Sequence, residues 1–200
     1  MRELGARDPG VWSGEARGAV EVGVGALKLG LLPDARAGAL LAADLPAGVP
    51  AVLDPVLAAS SGTRFHGPEA VPAWAEELLP AGLLWTPNLP ELAELAGVDL
   101  AALEGGLEAR EAAARVLIAA GARAVVVKGG HGSEDPVVDL LVEGSGPALH
   151  LSRQRLAGRT LRGTGCRFAS ALAAHLALGR DLREAVAEAG SWVAGRIAGL

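Results

Sequence analysis

The chain has 200 residues, half of them hydrophobic, a formal net charge of -5 and one cysteine. That length allows one sizeable core, while the short, interrupted apolar runs argue against a membrane span and the lack of a basic cluster against nucleic acid or an anionic membrane as partner. A lone cysteine excludes an internal disulfide framework and suits a reducing, cytoplasmic setting.

The opening MRELGARDPG has no apolar core, so no secretory leader is expected. AVEVGVGALKLG (19–30) contains period-two apolar positions and predicts a strand ending at a glycine. Pro33 and Asp34 open a helix to about Ala43. VPAVLDP (49–55) is a short buried strand stopped by proline, followed by a helix over 69–79. LLWTPN (83–88) is a strand leading into a short helix, Leu89 to Ala96. Arg110 to Ala120 forms a helix with Gly121 as its stop. AVVVKGG (124–130) is the clearest strand, being continuous and β-branched. Two weaker strands separated by GSGP, within 137–156, predict an antiparallel edge hairpin, and helices from Thr164 to Leu178 and from Leu182 to about Ile197 close the chain.

Strands alternating with helices predict an α/β fold, a mostly parallel sheet covered on both faces. Ligands of such sheets sit beyond the carboxyl ends of the strands. Asp54, Thr86, Asn88, Lys128 and the 163–166 turn all fall there. GTGC (163–166) precedes a helix, whose first turn offers free N–H groups and partial positive charge; with glycines nearby, an anion site is one outcome. There Cys166 is expected to have a lowered pKa and to face a substrate hydroxyl, or else to be a small buried residue at a turn. Asp54 is either a magnesium-type carboxylate or a turn cap. Asn88 and Glu91, three apart, form either a capping box or metal ligands, and both roles can coexist. Lys128 can reach phosphate as a point charge, or be a surface lysine. The chain has only two lysines, which favours function at Lys128, whereas capping is the stronger reading of Asn88 and Glu91 from their own stretch.

VLDPVLAASSG, LLPAGLLWTPNLPELAELAG, AVVVKGGH and RGTGCRFASALAAHLALGRDLREAV together resemble the hydroxymethylpyrimidine/phosphomethylpyrimidine kinases of thiamine biosynthesis, within the ribokinase-like superfamily. ALKLGLL resembles that family's KIGML strand end. The resemblance implies one three-layer α/β/α domain over 1–200, with a shortened N-terminal segment over 1–18. It implies ATP and Mg2+ as cofactors and a small pyrimidine as substrate, with a pyridoxal-type kinase or a nucleotide-binding scaffold as alternatives. Cys166, Gly163, Thr164 and Gly165 would be catalytic; Lys128, Gly130, Thr86 and Arg162 would bind nucleotide; Asp54, Asn88 and Glu91 would serve the metal. Arg162 stands where the family has histidine. Family members begin with a GTDPSGGAG-like loop, echoed here only by Asp8, Pro9 and Gly10. A shortened start would bare a sheet edge, which a homodimer could cover.

Overall fold

A computed structural model describes residues 18, 21, 23–32, 34–43, 48–59, 62–156 and 162–199. The Asp8–Gly10 turn and Pro33 lie outside them. Six strands form one sheet in sequential order: β1 (Leu27–Leu29), β2 (Ala51–Leu53), β3 (Leu84–Trp85), β4 (Ala124–Val127), β5 (Val137–Glu143) and β6 (Leu149–Arg153). β1 to β4 run parallel, whereas β5 and β6 are antiparallel to their neighbours, so the expected edge hairpin is present.

Period-two alternation divides the core between the two faces. Leu53, Trp85, Val125 and Val127 face one layer, packed with α2 (Val71–Leu78), α3 (Leu89–Ala96) and α5 (Leu107–Ala119). Val52, Leu84, Ala124 and Val126 face the other, built from α6 (Thr164–Ala177) and α7 (Leu182–Ala198) through Phe168, Leu172, Val186 and Val193. The architecture is the expected α/β/α sandwich. α1 (Ala35–Ala43) and α4 (Leu100–Gly105) complete the helices named here.

Three boundaries differ from expectation. The first strand is confined to Leu27–Leu29, and Gly18 and Glu21 are helical. Gly23, at φ 86, takes a left-handed turn that a strand cannot contain. Helix α4 was not foreseen; its N-cap is Asp99, whose side chain accepts the Ala101 N–H at 3.1 Å. Helix α5 starts at Leu107, ahead of Arg110, from an extended Gly106 with no side-chain cap to mark it.

The register brings the strand ends level. The Asp54 N–H donates to Leu29 O at 3.0 Å, the Thr86 N–H to Leu53 O at 2.9 Å and the Lys128 N–H to Pro87 O at 2.9 Å. These bonds hold Asp54, Thr86, Asn88 and Lys128 along one carboxyl rim, beneath the first turn of α6.

Candidate active site

A cavity of about 780 Å³ opens along this rim. Its centre is polar, formed by Asp54, Asn88, Glu91 and Lys128 on one side and the Gly163–Cys166 turn on the other. Apolar lining comes from Phe168, Val193, Ala194 and Ile197 on the helical side and from Leu31, Leu57 and Phe65 in the segments after β1 and β2.

Lys128 is the hub. Its Nζ donates to Asp54 Oδ1 at 2.8 Å and lies 3.9 Å from Glu91 Oε2. Burial alone would lower the pKa of this ammonium, but Asp54 and Glu91 outweigh burial and raise it. Lys128 therefore stays charged. Glu91 is pushed up to about 7, chiefly by burial, against the pull of Lys128 and of the Asn88 N–H. That N–H donates to Glu91 Oε2 at 2.8 Å, and the Glu91 N–H donates to Asn88 Oδ1 at 2.9 Å. The spacing thus produces a full capping box on α3, which also presents both side chains to the cavity.

The mouth of α6 lies opposite. Gly163 is its N-cap at φ 73, a left-handed conformation that favours glycine and leaves no side chain over the free N–H groups of the first turn. A Cβ on Gly165 would fall 2.8 Å from Lys128 Nζ and 3.8 Å from Asp54 Oδ1. Glycine is what lets helix and ion pair approach so closely. Cys166 is exposed to the cavity. Its thiol pKa is raised, against the expectation of a lowered one: burial comes first, then the charge of Asp54 and a hydrogen bond to it, and these exceed the opposing pull of Lys28 and Lys128. The helix terminus was the only influence legible locally; Asp54 arrives from a distant strand.

The structure thus gathers Asp54, Asn88, Glu91, Lys128, Gly130, Gly163, Thr164, Gly165 and Cys166 around one cavity. Two anticipated residues are not on its wall. Thr86 is fully buried, its hydroxyl donating to Leu53 O at 3.3 Å. Arg162 is exposed and lies off the lining. Arg153 and Arg155 on the β6 side do line the cavity and were not anticipated. Their spacing of two, at the end of a predicted strand that precedes GTGC, was the available signal.

The family model for phosphomethylpyrimidine kinase matches residues 16–199. The chain belongs to the phosphomethylpyrimidine kinase family. A hydroxymethylpyrimidine/phosphomethylpyrimidine kinase of Rhizobium meliloti is 40% identical over 174 residues, which is 86% of this chain and 64% of the relative. The chain therefore spans a little under two thirds of the length of that family member. An ADP complex of Bacillus subtilis pyridoxal kinase superposes with a TM-score of 0.79 at 29% identity, covering 92% of this chain and 69% of that one. Staphylococcus aureus pyridoxal kinase in complex with AMP-PCP and pyridoxal superposes with a TM-score of 0.80 at 26% identity, covering 98% and 72%. The vitamin-kinase fold of these neighbours is the fold expected from the family's motifs.

Proposed function

We propose that the chain transfers the γ-phosphoryl group of ATP to the hydroxyl of a hydroxymethylpyrimidine or to the phosphate of its monophosphate. The observation that carries this reading is the Lys128–Asp54 pair set directly beneath the glycine mouth of α6, with Cys166 beside it. Phosphoryl transfer requires positioning and charge neutralisation more than covalent help, and these groups supply both.

The nucleotide lies with its base toward Phe168, Val193 and Ile197 and its phosphates over Lys128 and the N–H groups of Gly163 to Cys166. Gly130 borders the same side. The acceptor packs on the apolar lining of Leu31, Leu57 and Phe65, its hydroxyl at Cys166. As the new O–P bond forms and the bond from the γ-phosphorus to the departing ADP oxygen breaks, the hydroxyl proton passes to Cys166 Sγ, which hands its own proton to the Asp54 carboxylate. A thiol of raised pKa, hydrogen-bonded to a carboxylate, suits such a relay better than a free thiolate does.

The donor set is compatible with magnesium held mainly by phosphate oxygens and water. No group of three or more metal-ligating His, Cys, Asp or Glu is present among the described residues, and Asp54 and Glu91 are the carboxylates at hand. Magnesium supplies charge neutralisation on the transferring group. Among the described residues no helix is long and apolar enough to cross a membrane; a cytoplasmic setting rests on the single cysteine. A homodimer belongs to the same proposal, because β1 is the terminal strand of the sheet among the described residues.

The similarity to pyridoxal kinases keeps pyridoxal as the competing acceptor. Thermal shift with Mg2+ and ADP, then with each acceptor alcohol, distinguishes the readings. A rise with nucleotide and a further rise with hydroxymethylpyrimidine support the proposal. A response only to pyridoxal reassigns the substrate, and no response to nucleotide removes the kinase reading. Cys166→Ala should retain nucleotide binding and lose turnover.

A further inference from the structure

Behind the cavity wall stands a set of buried charges that the transfer chemistry does not use. The turn after β4, Gly129 to Glu134, borders the cavity at Gly130 and His131. From behind, Asp139 Oδ1 on β5 accepts the Gly129 N–H at 2.7 Å, while its Oδ2 accepts from Arg153 Nη1 at 2.8 Å. Arg110 of α5, fully buried, gives its Nε to Leu103 O at 2.7 Å and its two terminal nitrogens to Glu134 at 2.5 and 3.0 Å. A Cβ at Gly132 would fall 2.6 Å from Arg110 Nη2, and one at Gly129 would strike the Val138 carbonyl. A Cβ at Gly130, by contrast, meets nothing within 4 Å. The turn is packed hard on its rear and open toward the cavity.

Arg155 binds this turn from the side. Its Nη2 donates to Gly132 O at 2.6 Å and Glu134 O at 3.0 Å, its Nε to Glu134 O at 3.2 Å, and its Nη1 to Gly130 O at 3.4 Å. One guanidinium therefore spans three alternate carbonyls of the turn, those of Gly130, Gly132 and Glu134, a reach that a planar fork has and an ammonium lacks.

We propose that Arg155 is a positioning residue for nucleotide: it fixes the backbone of the Gly130–Glu134 turn, and through it the nucleotide side of the cavity, without entering the transfer step. The inference deepens the kinase reading and rests on it. The wall is preorganised by a side chain, so the ordering cost is met before nucleotide arrives. Substituting Arg155 should loosen the turn and weaken nucleotide binding, while kcat at saturating nucleotide and KM for the acceptor stay near wild type.

The test uses Arg155→Met and Arg155→Lys in three measurements: affinity for Mg·ADP by calorimetry, steady-state kinetics, and amide hydrogen exchange of residues 129–134 without ligand. Both variants should bind ADP about tenfold more weakly, as loss of a charged donor set predicts, with the change in the KM for ATP rather than in kcat. Exchange should accelerate within the turn and remain unchanged in α6 and α7. Unchanged ADP affinity, full rescue by lysine, or a matched loss in kcat and both KM values would overturn the proposal, the last because it signals general disruption. Failure of wild-type protein to bind ADP would instead overturn the kinase reading and the nucleotide role with it. The exchange experiment separates the two cases, since it reports on the turn with no nucleotide present.

Discussion

Replacing Lys128 by methionine removes the cation on which two buried carboxylates converge. Its Nζ is 2.8 Å from Asp54 Oδ1, and the Asp54 side chain is 2% exposed. At an effective dielectric constant of about 20, two unit charges at that distance attract by about 6 kcal/mol. Burial of both partners offsets much of this, so the pair's net worth is small. Removing one partner is different. A carboxylate left alone in such a site costs about 3–5 kcal/mol, because its desolvation is no longer compensated. Glu91 adds little to the loss, since its pKa of about 7 lets it accept a proton when Lys128 is gone. Urea unfolding at pH 7.5 should therefore show Lys128→Met destabilised by about 3–5 kcal/mol, at unchanged m-value. The loss should shrink as pH falls, because a stranded carboxylate is relieved by protonation. Adding Asp54→Asn should restore most of the stability, since a neutral amide carries no stranded charge. A loss below about 1 kcal/mol, of the size expected for an exposed pair, or a double variant no better than the single one, would refute the buried-hub account.

Glu91→Gln keeps an acceptor for the Asn88 N–H but removes a carboxyl whose pKa rises from 4.5 to about 7 on folding. The folded state then holds the proton more tightly than the unfolded chain, so wild-type stability falls as pH rises from 4.5 to 7. The variant's advantage should grow over that window by about 3 kcal/mol at most and level off above it; a flat difference in chemical denaturation would contradict this. Gly165→Ala should push Lys128 away from Asp54, since its Cβ would lie 2.8 Å from the Nζ; turnover should collapse and stability should fall toward the about 3–5 kcal/mol expected for the stranded carboxylate, whereas unchanged turnover and stability would show that the lysine yields without leaving its partner. Asp54→Asn should lower the pH midpoint of Cys166 alkylation, because the carboxylate's charge and hydrogen bond help raise the thiol; an unmoved midpoint would separate the two groups.

Much of the site was legible because residues at strand ends share one rim whatever the details of the helices. Asp54 before Pro55, Asn88 three residues before Glu91, and Lys128 at the end of a β-branched run are local signals, and the fold needed only parallel pairing to unite them. The layer arrangement was legible for the same reason: Val52 and Leu53, or Val125 and Val126, part to opposite cores by alternation alone. What failed to show was whatever depends on partners far along the chain. The direction of the Cys166 shift is set by Asp54 as well as by burial. Thr86 follows the rim pattern yet turns its hydroxyl to Leu53 O. Arg110 looked like the start of a helix, and its pairing with Glu134 emerges only when α5 packs behind the β4 turn. The first strand was overextended because AVEVGVG alternates as a strand does, and only the left-handed Gly23 ends the pattern.

The central claim is that this cavity moves a phosphoryl group from ATP to a pyrimidine alcohol. Phosphorus NMR of wild-type protein with Mg·ATP and hydroxymethylpyrimidine reads that directly. The account predicts a new phosphomonoester signal that grows in step with ADP and is absent with Cys166→Ala. ATP that stays intact, or that yields inorganic phosphate alone, would contradict it.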